Sequence, residues 1–225
     1  MSNGFTALLG RTQTFGKERG LGLTREHLVH DLDALGASRP SVAAAIADIG
    51  YPEPRIRPRG YETLLRTIVG QQVSVAAASS IWNRLLAQMG GEANPAALIE
   101  ADFDTLRACG LSRQKQGYAR SLSELVNAGE LTLDDLPDDD EDAIALLTKV
   151  KGIGRWSAEI YLMFAEGRRD MWPAGDLAVQ EGFRRLEGLE TRPSEQELRA
   201  LGADFSPYRS ALALLTWHVY ANSTL

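Results

Sequence analysis

Cysteine is almost missing from this chain: Cys109 is the only one in 225 residues. That scarcity excludes an intramolecular disulfide and any four-cysteine zinc or iron–sulfur site. Cys109 itself lies in the apolar pattern LRACGL and reads as a small core residue rather than a nucleophile. Histidine is nearly as scarce, and His27, His30 and His218 are too scattered to suggest a metal site or a catalytic triad. Long apolar runs are lacking, with none near the roughly 18 residues that a membrane span needs. The first residues, with Gly4, Arg11 and Lys17, show no apolar segment of a secretory signal. The expectation is a soluble, cytoplasmic protein without a membrane partner. Alternating strand patterns are also wanting, so the fold class expected is all-α.

A surplus of positive charge is absent as well. The net charge is -6, which at first sight argues against a nucleic-acid partner. The distribution matters more than the sum. Residues 130–142 (ELTLDDLPDDDED) hold eight acidic and no basic side chains, so the rest of the chain carries -6 + 8 = +2. Such a run is ordinarily a solvated loop or a helix start. Bulk charge therefore decides nothing, and local geometry must.

What the chain does have is helical periodicity and enough apolar residues, 44%, for a sizeable core. Thr24 can cap REHLVHDLDALG, with Gly36 as its stop, and a second helix covers Ser41 to Ile49. The stretch YPEPRIRPRG (51–60) follows, where Pro52, Pro54 and Pro58 forbid a continuous helix. The pattern resumes from Tyr61, again from Ser74 to about Met89, and over Asp102–Cys109 and Arg113–Asn127. The acidic run then opens a helix reaching Lys149, its negative side chains suiting the helix dipole. Residues 1–23 read as irregular, and no internal repeat is present. Residues 51–60 make the best boundary. Two helical lobes around a cleft are expected: residues 1–60 packing with 177–225, and a central lobe over 61–176.

Residues 147–159, LTKVKGIGRWSAE, stand out. One helix should end near Lys149, Gly152-Ile153-Gly154 should turn tightly, and a second helix should start around Arg155. Glycines two apart permit positive φ and close approach of another surface. The turn leaves amides of a helix N-terminus facing outward, a ready anion site, flanked by Lys149, Lys151 and Arg155. Those features suit a nucleic-acid phosphate bound without reading sequence, although an ordinary αα-turn can use glycine in the same way. Asp176 follows Pro173-Ala174-Gly175 and precedes the helical pattern LAVQEGFRRL, where it can act as an N-cap. Asp170, upstream, follows Arg168 and Arg169 and is expected to pair with them.

The hairpin, the segment WPAGDLAVQ (172–180) and SPYRSALALLTW (206–217) together resemble the helix-hairpin-helix (HhH-GPD) DNA glycosylases. RTIVGQQVSVAAA (66–78) and GLSRQKQGYA (110–119) extend the likeness, which is to the 3-methyladenine DNA glycosylase II branch and covers roughly residues 60–220. The resemblance implies base excision from damaged double-stranded DNA by a monomeric enzyme that requires no cofactor, with Asp176 as the catalytic carboxylate. It implies a base pocket of Trp156, Trp217 and Tyr161, although each can equally be core packing. In bifunctional members a lysine stands where this chain has Trp156, and indole forms no Schiff base. Ile160 stands where some relatives have an aromatic residue. The resemblance also implies DNA contacts from Gly152, Gly154, Lys151 and Arg155. It places Gln71, Gln72 and Ser74 at the minor groove with Gln72 as wedge, although Ser74 can simply cap a helix. Arg113, Lys115 and Arg209 could touch phosphates. A structural Na+ or K+ at the carbonyls of Thr148, Val150 and Ile153 is a further implication.

The activity expected is therefore that of a monofunctional glycosylase acting on alkylated bases. A non-catalytic lesion-binding protein is the alternative, but a pure binder needs no carboxylate near anionic DNA. A purely structural helical protein would leave the hairpin glycines and the WPAGD loop without a reason.

Overall fold

A computed structural model describes residues 23–222; the expectation of irregular chain before Leu23 lies outside the described residues. All regular structure among those residues is helical. Helix α1 is Arg25–Ser38, α2 Pro40–Ile49, α3 Tyr61–Gly70, α4 Val75–Gln88, α5 Pro95–Glu100 and α6 Phe103–Ala108. Helix α7 is Arg113–Asn127, α8 Asp140–Leu147, α9 Arg155–Phe164, α10 Leu177–Leu186, α11 Glu195–Leu201 and α12 Arg209–Asn222, with a 3-10 turn at Gly202–Phe205.

Helix starts follow side-chain capping. The side chains of Thr24, Ser74, Asp102, Ser112 and Asp139 each accept an amide of the first turn of α1, α4, α6, α7 and α8. The acidic run thus supplies a cap and a first turn, as its composition suggests. Gly36 does not stop α1. The helix continues to Ser38 and ends at Arg39 (φ -128°, ψ 98°), because Pro40 bars the residue before it from the helical region. Two short helices, α5 and α11, were not expected. The second begins at a capping box in which Ser194 and Glu197 satisfy each other's backbone amides.

Helices α10 and α12 pack along each other most extensively, and α1 and α2 join them. Helix α3 packs on α4 and α7, with α5 and α6 against α7 and α8 against α9. The 50–60 segment and the end of α2 before it are pinned to α9 and α12. The Arg57 amide donates to the Phe164 carbonyl (2.9 Å), the Gly60 amide to the Tyr161 hydroxyl (2.8 Å), and His218 Nε2 to the Ile49 carbonyl (2.9 Å). Arg59 reaches the carbonyls of Leu133 and Asp134 and pairs with Glu166.

The link between α9 and α10 is held as firmly. The Ser210 hydroxyl donates to the Arg168 carbonyl (2.6 Å) and accepts the Met171 amide (2.9 Å). Buried Asp31 on α1 receives the Arg169 guanidinium, and the buried Trp172 indole donates to the Leu198 carbonyl (2.9 Å). Asp170 pairs with neither neighbouring arginine: its carboxylate takes both Nε and a terminal nitrogen of Arg209, each at 2.7 Å, and the Ser206 hydroxyl. The expectation fails because Arg168 is drawn to the acidic run, at Asp140, and Arg169 to Asp31.

Helices α10 and α12 approach so closely that a Cβ at Gly182 would overlap the Thr216 backbone carbonyl. Backbone cannot yield as a side chain can. Gly182→Ala should therefore destabilise the fold by about 2–3 kcal/mol or prevent folding, read as a fall in thermal midpoint and in soluble yield.

Candidate active site

Asp176 is the N-cap of α10. Its Oδ1 accepts the amides of Ala178 (2.9 Å) and Val179 (3.1 Å). The same oxygen accepts the Trp217 indole N–H from α12 at 3.1 Å, and Oδ2 accepts the Trp156 indole N–H from α9 at 3.0 Å. One carboxylate thus joins three helices. All four partners are donors, which suits an acceptor-only ionised carboxylate at a helix N-terminus. Oδ1 takes three of them and Oδ2 only one, so Oδ2 is the oxygen with room for a further contact.

The loop before Asp176 is wound tightly. The Ala174 amide bonds the Trp172 carbonyl (2.8 Å), the Asp176 amide bonds the Pro173 carbonyl (2.9 Å), and buried Gln180 donates to the Ala174 carbonyl (2.8 Å). The two tryptophans differ in exposure. Trp156 is 45% exposed, whereas Trp217 is half-buried with Phe164 against it at 5.9 Å. The Arg55 guanidinium lies 5.1 Å from the Trp217 ring centre, and that of Arg57 lies 5.6 Å from the Phe164 ring. Burial lowers the Arg57 pKa, and the charge of Arg55 beside it lowers it further.

Tyr161 is placed differently from its expected position in the pocket. Its side chain is 3% exposed, its hydroxyl accepts the Gly60 amide, and burial pushes its pKa up to about 12. The structure makes it a core anchor for the 50–60 segment. Ile160 is buried as well.

The hairpin forms between α8 and α9. Helix α8 stops at Leu147, two residues short of Lys149, because successive turn bonds from Lys149, Val150 and Ile153 wind the chain into the glycine turn. Gly152 has φ 82°, and a Cβ there would fall within the Tyr118 ring. Gly154 is the N-cap of α9 with φ -90°, open to any residue, and a Cβ there meets nothing within 4 Å. The fold demands a glycine at the first position and not at the second. Lys151 and Gly154 are exposed on this turn.

Arg155, expected as a phosphate contact, is paired with exposed Glu141 and with Glu159, which is 2% exposed. Arg199 also pairs with Glu159 and continues to Glu195, so a charge chain crosses beneath the hairpin. Burial raises the Glu159 pKa against the lowering pull of the two arginines.

Facing the hairpin, Gln71 donates through Nε2 to the Gly152 carbonyl at 2.9 Å. Gln72 is exposed and is the one non-glycine with positive φ (53°) among the described residues. Such strain persists only where the surroundings enforce it, and it concentrates at functional sites. Ser74 caps α4, and Val73 and Val75 beside it are exposed. Of the other cations considered, Arg209 is bound to Asp170, Lys115 donates to the Val69 carbonyl (2.7 Å), and Arg113 lies over Phe103. Of the carbonyls expected to hold a cation, that of Val150 accepts the Ile153 amide. Among the described residues no group of three or more His, Cys, Asp or Glu could hold a metal.

Three helices meeting at one aspartate beside a glycine hairpin define a recognisable site. The profile of HhH-GPD superfamily base excision DNA repair proteins matches residues 65–207. The chain belongs to this superfamily. It is 32% identical over 169 residues to DNA-3-methyladenine glycosylase 1 of Schizosaccharomyces pombe, covering 73% of each protein. A crystal structure of DNA-3-methyladenine glycosidase from Bacillus halodurans superposes with a TM-score of 0.79 at 30% identity, over 85% of this chain and 89% of that one. The 3-methyladenine DNA glycosylase of S. pombe in complex with abasic DNA superposes with a TM-score of 0.66 at 28% identity, over 84% and 95%. Within the superfamily the chain is thus a member of the 3-methyladenine glycosylases.

Sequence reasoning singled out Asp176, Trp156, Trp217 and the hairpin glycines, and the structure gathers them. It missed Arg55 and Phe164. The signal for Arg55 is an arginine directly after Pro54 in the proline-rich stretch YPEPRIRPRG, which in the sequence marks only a boundary.

The two hairpin glycines should separate by experiment. Gly152→Ala should destabilise the fold by about 1–3 kcal/mol through positive φ and the Tyr118 overlap. Gly154→Ala should leave the thermal midpoint within about 1 °C of the wild type, an exposed change of less than about 0.5 kcal/mol.

Proposed function

We propose that the protein is a monofunctional DNA glycosylase of the 3-methyladenine II type, hydrolysing the N-glycosidic bond of alkylated bases in duplex DNA. The observation that carries this reading is the Asp176 carboxylate, held by two indoles and two helix amides, with Oδ2 bonded only to the exposed Trp156 indole.

Cleavage of the bond between the sugar C1′ and the base develops positive charge on the sugar, which a fixed carboxylate stabilises. The bonding pair leaves with the base. In 3-methyladenine or 7-methylguanine the base is already cationic, so that pair neutralises it and no general acid is required. Water, oriented by Oδ2, then adds at C1′ and loses a proton to solvent, leaving the neutral hydroxyl of the abasic sugar. The aromatic faces of Trp156 and Trp217 favour a cationic base by roughly 0.5–2 kcal/mol. A Schiff base with the sugar needs an amine, and the hairpin presents the Trp156 indole instead.

Base flipping costs a few kcal/mol and is cheapest for damaged pairs. Gln72 fills the gap in this reading, which its positive φ and exposure support, with Gln71 bracing that loop against Gly152. The hairpin amides take a phosphate, with Lys151 beside them. A Na+ or K+ on the carbonyls of Thr148, Val150 and Ile153 would add positive charge at that turn. Gly154 has no packing reason to be glycine, which fits close approach of a DNA backbone at that position.

The deciding measurement is base release from methylated duplex DNA, with strand breaks scored before alkali treatment. Wild type should release base without breaks, and Asp176→Asn should lose about 100-fold or more in rate while still binding the duplex. Gly154→Ala should fold normally and bind the duplex more weakly. Wild type that binds methylated duplex but releases no base would make this a lesion-binding protein instead.

A further inference from the structure

We propose that Arg55 is a specificity-determining residue, whose guanidinium occupies the face of Trp217 that an incoming base must take and disfavours cationic bases relative to uncharged ones. The inference rests on Trp217 forming the base pocket.

Trp217 has a buried neighbour, Phe164, and an exposed one, Arg55. A nucleotide arriving from DNA comes from solvent, and Arg55 is the solvent-exposed neighbour of the Trp217 ring. A guanidinium stacked on a ring takes the position a planar base would take, so the base must displace it.

The placement of Arg55 is built into the fold. Ile49 is held by His218, which adjoins Trp217 on α12, and Arg57 is held through its amide to Phe164 at the end of α9. Arg55 lies between these anchors, two residues before Arg57 and directly after Pro54, whose ring fixes its own φ. The helices that carry Trp217 and Phe164 thus also hold the segment that covers them. Tyr161, buried and bonded to the Gly60 amide, secures its far end.

Charge gives the contact a direction. Arg55 and Arg57 bring two positive charges to the aromatic wall, while Asp176 brings one negative charge to the Trp217 N–H. A cationic base on this wall meets like charge from Arg55, whereas an uncharged base only exchanges one stacking partner for another. Removing the Arg55 charge should favour cationic ligands selectively.

The test uses the intact protein, with Arg55→Gln and Arg55→Lys each made with and without Trp217→Phe. Tryptophan quenching is measured with 1-methylnicotinamide, a planar cation, and with uncharged nicotinamide. Single-turnover release from a duplex containing 7-methylguanine gives the half-saturating concentration. Arg55→Gln should raise quenching by the cation about two- to fivefold, the factor an exposed cation–π contact is worth, with a smaller change for nicotinamide. It should lower the half-saturating concentration by a similar factor. Arg55→Lys should resemble the wild type, and the quenching difference should vanish with Trp217→Phe. An unchanged ratio of cationic to uncharged quenching, or a ratio shift that survives Trp217→Phe, overturns the proposal. A raised half-saturating concentration in Arg55→Gln also overturns it and makes Arg55 a phosphate contact. Failure of the underlying pocket reading shows separately, as Trp217→Ala releasing 7-methylguanine as fast as the wild type.

Discussion

The carboxylate of Asp176 is the constraint on which the rest of the site depends. It caps α10 and also receives indole N–H groups from α9 and α12. A cap alone needs one oxygen and two amides. The two further donors make the same group a junction, so moving any one of the three helices would break a charge-assisted hydrogen bond. Because α9 also carries Phe164 and begins at the hairpin, the glycine turn and the Asp176 carboxylate belong to one arrangement.

Much of the surrounding structure can be understood as support for that junction. The loop leading to Asp176 is fixed by Ser210, by the buried Asp31–Arg169 pair and by Gln180 on the helix that follows. Placing a carboxylate within a fraction of an ångström of its working position requires such an outer layer. The close approach of α10 to α12, possible because Gly182 has no side chain, brings Trp217 within reach of the α10 N-terminus. Packing and chemistry meet at that pair of helices.

Helix starts were legible in the sequence because capping is local: Thr24, Ser74, Asp102, Ser112 and Asp176 each stand beside the amides they satisfy. Helix ends were less legible, since α1 overruns Gly36 and halts only at Pro40, while α8 yields early to the hairpin. Short helices such as α11 have too few turns for periodicity to register. Of the site, Asp176 and the glycines carried signatures of order and spacing. Pairings across the fold had no such mark. That Asp170 meets Arg209 rather than its neighbours, that Arg155 is drawn to a buried glutamate, and that Tyr161 serves a distant amide are consequences of long-range packing. Arg55 was hidden for the same reason: its partner Trp217 lies far along the chain.

The net charge of -6 poses a question that the structure answers in part. Several acidic side chains of the 130–142 run are already engaged by the protein itself: Asp139 caps α8, Asp140 holds Arg168 and Glu141 holds Arg155. The arginine nearest the hairpin is therefore committed before any phosphate arrives. An anion at this turn meets oriented amides and Lys151 rather than a dense basic patch. Amides at a helix start act at short range and in a fixed direction, whereas a surface field attracts from a distance and without geometry. A protein that must inspect DNA without gripping every stretch of it is better served by the first kind of contact. The acidic balance is then compatible with a DNA partner, because contacts of the first kind do not depend on net charge.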